Sequence, residues 1–155
     1  MTDSAQGRVE AMWLKRSHRG PMDAVQEIRL SAGAGIVGGV DRSRRRQVTL
    51  IEHEVWDRLM HQLGADADPS KRRANILLTG IRLPNTRGRV LRIGDARLEI
   101  GGELTPCERM EEVFPGLQAA MRPAWGGGAF ARVITDAVIR VGDSAEWETL
   151  GAPSS

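Results

Sequence analysis

Short β-prone segments broken by glycine constrain this chain more than any other feature. Residues 89–93 and 96–100 alternate apolar and polar side chains around Gly94-Asp95, a pair suited to a two-residue hairpin turn. Leu98 and Ile100 then share one face, and Arg97 and Glu99 the other. The same texture recurs. Residues 8–15 and 25–30 read as strands, and so does the segment 47–51, where Val48 and Leu50 oppose Thr49. Further strands are expected at 76–79, ended by Gly80, and at 129–134. Residues 138–141 and 144–147 should pair as a last hairpin around Gly142-Asp143. One substantial helix interrupts them. Over 52–63, Val55, Trp56, Leu59, Met60 and Leu63 form one apolar stripe that stops at Gly64. Two short helices are expected after Cys107 and over 117–121, and Trp125 to Gly128 should form a flexible bend. This pattern predicts a mostly-β barrel with a few α-helical insertions. It should be a single domain over 1–155, with its core at about 7–148 and a flexible tail at 151–155.

Several function classes lose support at this level. A single cysteine excludes an intramolecular disulfide. The first ten residues are polar and no apolar run approaches the length of a membrane span, so we expect a cytoplasmic protein without membrane contact. The glycine-rich stretch Ser31–Gly39 lacks Walker A spacing, and no helical pattern follows it, which leaves a sharp reversal between strands. His18, His53 and His61 form no ligand-spaced cluster, which argues against a zinc site built by protein alone. The few aromatics are scattered and there is no tyrosine, so a stacking platform for nucleic acid is poorly supported.

What remains is anion chemistry around one thiol. Net charge is only +2, yet all but two of the 22 basic residues are arginine, which grips phosphate and carboxylate in a planar fork. Residues 41–46 (Asp-Arg-Ser-Arg-Arg-Arg) and 71–73 (Lys-Arg-Arg) each cluster basic groups at the start of an expected strand. Such runs are commonly just solvated, but they can also line an anion pocket. The lone cysteine sits in Thr105-Pro106-Cys107-Glu108-Arg109-Met110, between an expected strand and a run of helix formers. Pro106 stiffens the approach, and the start of a helix provides a positive local field. A lone cysteine is often only a small buried hydrophobe; as thiolate it is a nucleophile or a ligand for a soft metal.

Four stretches in order, Arg46-Gln-Val-Thr-Leu-Ile51, Arg72-Arg-Ala-Asn-Ile76, Arg92-Ile-Gly-Asp95 leading to Thr105-Pro-Cys-Glu-Arg109, and Gly128–Val133 leading to Val141-Gly-Asp143, resemble the MOSC family. This is the domain related to the C-terminal part of molybdenum cofactor sulfurase. The resemblance spans about residues 7–148 and suggests a small stand-alone member. It implies a β-barrel that holds the molybdenum cofactor (molybdopterin), with Cys107 as metal ligand and catalytic centre. It places the cofactor-holding Arg-x-Asn motif on Arg73 and Asn75, and it adds Thr49 more weakly. Arg44, Arg45 and Arg46 extend the same anion site by our own inference from charge. The chain departs from the family pattern where Gly-Asp commonly precedes Val-Thr-Leu. Here Gly38 is followed by Gly39, and the aspartate comes at Asp41. We expect no added N-terminal β-domain of the kind that larger relatives carry.

The activity implied is reduction of N-hydroxylated small molecules, with electrons from a separate reductase. The alternative is a sulfur carrier that uses a Cys107 persulfide for metal-sulfur cluster or cofactor assembly. Nucleic-acid binding by the arginine-rich loops ranks below both.

Overall fold

A computed structural model describes residues 7–15, 17, 20–38 and 46–149. In chain order its elements are β1 (Gly7–Lys15), β2 (Met22–Val25), β3 (Glu27–Ser31), β4 (Gly35–Ile36), β5 (Val48–Glu52), α1 (His53–Leu63), β6 (Ile76–Thr79), β7 (Val90–Ile93) and β8 (Ala96–Glu103). They continue as α2 (Glu108–Val113), α3 (Leu117–Met121), β9 (Ala129–Val133), β10 (Ala137–Arg140) and β11 (Ser144–Trp147), with 3₁₀ turns at Pro69–Arg72 and Pro123–Trp125.

Alternating side chains make these strands, and closure makes the barrel. β8 reads buried, half-buried, buried along its length, with Leu98 and Ile100 inside and Arg97 and Glu99 outside. It pairs antiparallel with β7 across the Gly94-Asp95 turn, Leu91 opposite Leu98. The sheet runs β11-β7-β8-β9-β5-β6-β1, and β11 also pairs with β1, which closes seven strands on themselves. β2 adds to β1 outside this ring, and β3, β4 and β10 form a second, small sheet. Val9, Met12, Leu50, Ile76, Leu78, Leu91, Ile93, Leu98 and Ile100 fill the interior, all almost without solvent contact.

Among the described residues, β5 and β6 are the one parallel pair, with Leu50 opposite Ile76. A parallel pair requires a long connection, and α1 provides it. Its apolar stripe seats Trp56, Leu59 and Met60 against Met110, Leu117 and Met121 of α2 and α3. Trp56 Nε1 donates to Ala67 O at 2.9 Å, which ties the helix to the loop that leads into β6. Gly64 closes α1 in the left-handed conformation (φ 66°), and the amides of Gly64 and Ala65 reach back to His61 and Met60.

Three expectations change. Residues 25–30 are not one strand: β2 ends at Val25, and Gln26 is a bend before β3. Residues 138–141 and 144–147 do not form a hairpin. β10 pairs with β3, whereas β11 pairs with β7 and β1. The Gly142-Asp143 turn is real, since Asp143 N donates to Arg140 O. Gly142 N donates to Val9 O and Val9 N to Asp143 O, so the turn is stitched to β1 and hands the chain from one sheet to the other. Gly126, Gly127 and Gly128 are a packed wedge rather than a flexible bend, because all three are buried. The expected tail, 151–155, lies outside the described residues.

Candidate functional site

Three segments meet at one end of the barrel, where β8 leaves and β6 and β9 begin. They are Arg72–Asn75 before β6, Leu104–Cys107 after β8, and Gly126–Gly128 before β9. Leu104 N donates to Gly128 O at 2.9 Å, so the exit of β8 and the entry of β9 are joined directly. Gly128 has φ 103°, and a Cβ there would run into the Leu50 carbonyl oxygen, so only glycine permits this approach to β5.

Cys107 is exposed and occupies the N-cap position of α2, with extended backbone (φ −113°, ψ 176°). Met110 N donates to Cys107 O, and the thiol makes no capping hydrogen bond. The thiol is thus held at the end of a stiff approach and left open to ligands.

The segment is anchored by Arg72, which sequence reasoning did not single out. Its side chain is only 6% exposed. Nε donates to Gly127 O at 2.9 Å, and Nη2 donates to Leu104 O at 3.1 Å and, more weakly, to Thr105 O at 3.4 Å. Burial lowers the Arg72 pKa to about 10; the Cys107 thiolate opposes that shift, and the neighbouring positive Arg46 adds to it. Arg72 therefore stays charged at neutral pH. The signal available in sequence was the Lys71-Arg72-Arg73 cluster, which does not say which arginine turns inward.

Arg46 is exposed, and its guanidinium lies 5.2 Å from the Phe130 ring centroid. Phe130 in turn packs on Gly101, where a Cβ would lie 2.5 Å from the ring. Arg44, Arg45 and Asp41 lie outside the described residues.

Arg73 adopts a left-handed backbone (φ 65°) at the end of the 3₁₀ turn, which points successive side chains apart. Its Nη1 donates to Gly20 O at 2.7 Å. Arg73 lines an open groove of about 550 Å³ with Pro21, Met22, Lys71, Arg109 and Glu112. Arg109, Glu112 and Val113 are the face that α2 turns to this groove, so it runs beside the helix that Cys107 begins. Lys71 and Arg109 form no ion pair among the described residues.

Asn75 and Thr49 are brought together. Asn75 Oδ1 accepts from Thr49 N at 3.0 Å and from Thr49 Oγ1 at 3.1 Å, and Asn75 N lies 3.0 Å from Thr49 Oγ1. Asn75 Nδ2 donates to Trp13 O at 3.2 Å. The amide thereby couples β5 to β1 just before β6 enters between them, and Asn75 N also donates to Thr49 O. Among the described residues no group of three or more His, Cys, Asp or Glu side chains is placed to hold a metal ion. No helix there is long and apolar enough to cross a membrane.

Residues 16–146 match the MOSC domain family. The chain belongs to that family. Solved structures of the same fold include the YuaD protein from Bacillus subtilis, at 17% identity, with a TM-score of 0.77 over 90% of this chain and 94% of that one. YiiM from Geobacillus stearothermophilus is 15% identical, with a TM-score of 0.74 over 95% and 77%. YiiM from Escherichia coli is also 15% identical, with a TM-score of 0.70 over 92% and 70%. At these identities the likeness is one of fold, and the MOSC barrel is what they share. No curated protein matches the sequence.

Proposed function

We propose that this MOSC protein binds the molybdenum cofactor through Cys107 and, once loaded, reduces N-hydroxylated small molecules. The observation that carries the reading is the exposed Cys107 thiol beside the buried charge of Arg72, at the end of a MOSC barrel. The donor set fits the group. A thiolate suits a soft metal centre, and arginine and lysine suit a phosphate-bearing pterin. The groove of about 550 Å³ beside α2 is lined by Lys71, Arg73 and Arg109 against one acid, Glu112; Cys107 is not in its lining but begins the helix along which it runs. When bound, the cofactor supplies a redox-active metal with positions open for oxygen transfer.

The remaining roles belong to the chain. Cys107 anchors the metal, Arg72 and Arg46 set a positive field around it, and Arg73 holds the organic part. Thr49 and Asn75 act behind them by fixing the β5–β6 frame from which Arg73 projects. Electrons come from a separate reductase, and the substrate is a small molecule. The test is reduction of a simple hydroxylamine by cofactor-loaded protein with a chemical electron donor. Turnover that disappears in Cys107→Ser supports the reading, and a loaded protein without turnover removes the reductase part of it.

The exposure of Cys107 also favours a second reading, a sulfur carrier. Here the thiolate takes a sulfur atom from a persulfide donor, which leaves as its thiol, and passes it to metal-sulfur or cofactor assembly. It predicts a mass gain of one sulfur on incubation with such a donor, absent in Cys107→Ser. A thiol that stays unmodified sinks it.

A further inference from the structure

Arg72 is the charged side chain that the fold buries without using it up. Three of its contacts are to carbonyls, at Leu104 and Thr105 on the approach to Cys107 and at Gly127 in the glycine wedge. Glycine at 127 makes this arrangement possible, since a Cβ there would lie 2.5 Å from Leu104 O and 3.1 Å from Arg72 Nη2. Carbonyls accept hydrogen bonds without neutralising charge, so the guanidinium keeps its full positive charge. Its remaining nitrogen, Nη1, has no hydrogen-bond partner among the described residues, yet it is not sealed away from solvent. Two of those carbonyls, Leu104 and Thr105, lie on the segment that carries Cys107, with Thr105 only two residues before it.

We infer that Arg72 is a positioning residue for Cys107, which clamps the approach to the thiol and makes the site select anionic ligands over neutral ones of the same shape. The inference rests on the reading of Cys107 as the working thiol. Two consequences separate the roles. The clamp needs the planar fork of arginine, because a compact ammonium cannot span three carbonyls on two segments. The selection needs only a positive charge held near the thiol in a poorly screened place. Arg46, exposed and resting on Phe130, adds a second cation to the same field.

The experiment compares alkylation of Cys107 by iodoacetate and by iodoacetamide in metal-free protein. In both reactions the thiolate sulfur forms a bond to carbon and iodide leaves, so the thiolate fraction cancels in the ratio of the two rates. Chain packing alone would not move that ratio. At low salt the ratio is expected to exceed that of a free cysteine peptide on the order of tenfold, and to shrink as salt rises. Arg72→Met should bring it close to the peptide value. Arg72→Lys should keep most of it while lowering Tm, because charge survives and the clamp does not. If Arg72→Met does not fold, Arg72→Gln replaces it, being neutral with amide donors for the carbonyls. A wild-type ratio no higher than the peptide's, or a ratio unchanged in the neutral variant, overturns the inference and leaves Cys107 as a working thiol. A native Cys107 that resists both reagents, and reacts only on unfolding, removes the reading beneath it, and the inference with it.

Discussion

Single residues at the barrel end divide into those to which we propose chemistry and those that hold the frame, and the division is measurable. Asn75→Ala removes an acceptor shared by Thr49 N and Thr49 Oγ1 and leaves Trp13 O without its amide donor. Unmet buried polar groups cost about 1–3 kcal/mol each, so a loss of about 2–4 kcal/mol is expected in urea unfolding. Asn75→Asp keeps the acceptor and should fall between that variant and the wild type. A neutral Asn75→Ala would show that the amide does not support the frame. Glu52 makes a pH prediction. Burial raises its pKa above the ordinary carboxylate value of 4.5, against the lowering effect of the Leu83 N–H that it accepts at 3.1 Å. The folded state then binds its proton more tightly than the unfolded chain does. Stability from this group is present below the unfolded value and is lost as pH rises through the raised one. Glu52→Gln keeps an acceptor for Leu83 and removes the charge, so it should be at least as stable as wild type at pH 7, with its advantage fading as pH falls through the raised value and gone below 4.5. An advantage that grows on acidification would contradict the assignment.

At the scale of elements, burial decides what local pattern leaves open. The α1 stripe, the β7–β8 hairpin and the faces of β5 were legible because the period of side-chain alternation and the plane of burial coincide. The Gly142-Asp143 turn was legible as a turn but not as a crossing between sheets, since a turn signal does not name the strands it joins. Val9, which receives and returns its backbone hydrogen bonds, is 133 residues upstream of Gly142. The Gly126–Gly128 run looks like a flexible bend in sequence for a related reason. Missing side chains mean freedom in solvent and close approach inside a protein, and only the neighbours tell them apart. Gly128→Ala tests this directly. It requires φ 103° of a residue with a Cβ that would meet the Leu50 carbonyl, so β5, β9 and the Leu104 amide must all shift. A loss of about 3 kcal/mol or more is expected, with Cys107 more rapidly alkylated or proteolysed in its loosened loop. A variant of wild-type Tm would mean that the wedge has room.

For the whole molecule, closure makes the site possible. β11 bonds to both β7 and β1, with Ala145 fully buried at that seam between Ile93 and Gly7. Ala145→Asp would place an unpaired charge there, and loss of cooperative folding is the expected result in thermal unfolding. A folded, cooperative variant would show that β11 is peripheral. The closed ring brings residues near 46, 72, 107 and 127 to one end, and this is why ordered motifs could suggest the site in sequence while the geometry of Arg72 could not be read there. Lys71, Arg72 and Arg73 are alike as residues. The left-handed turn at Arg73 parts them, sending one guanidinium to the Leu104, Thr105 and Gly127 carbonyls and the other to Gly20 and the groove. We propose that this end of the barrel holds the molybdenum cofactor on Cys107. The decisive measurement is the molybdenum and pterin content of protein purified natively from a cofactor-producing host, wild type beside Cys107→Ser. We predict near-stoichiometric molybdenum and pterin in the wild type and a marked loss of molybdenum in the variant. Wild-type protein without either, from a host that loads other molybdenum enzymes, would mean that this barrel does not hold the cofactor.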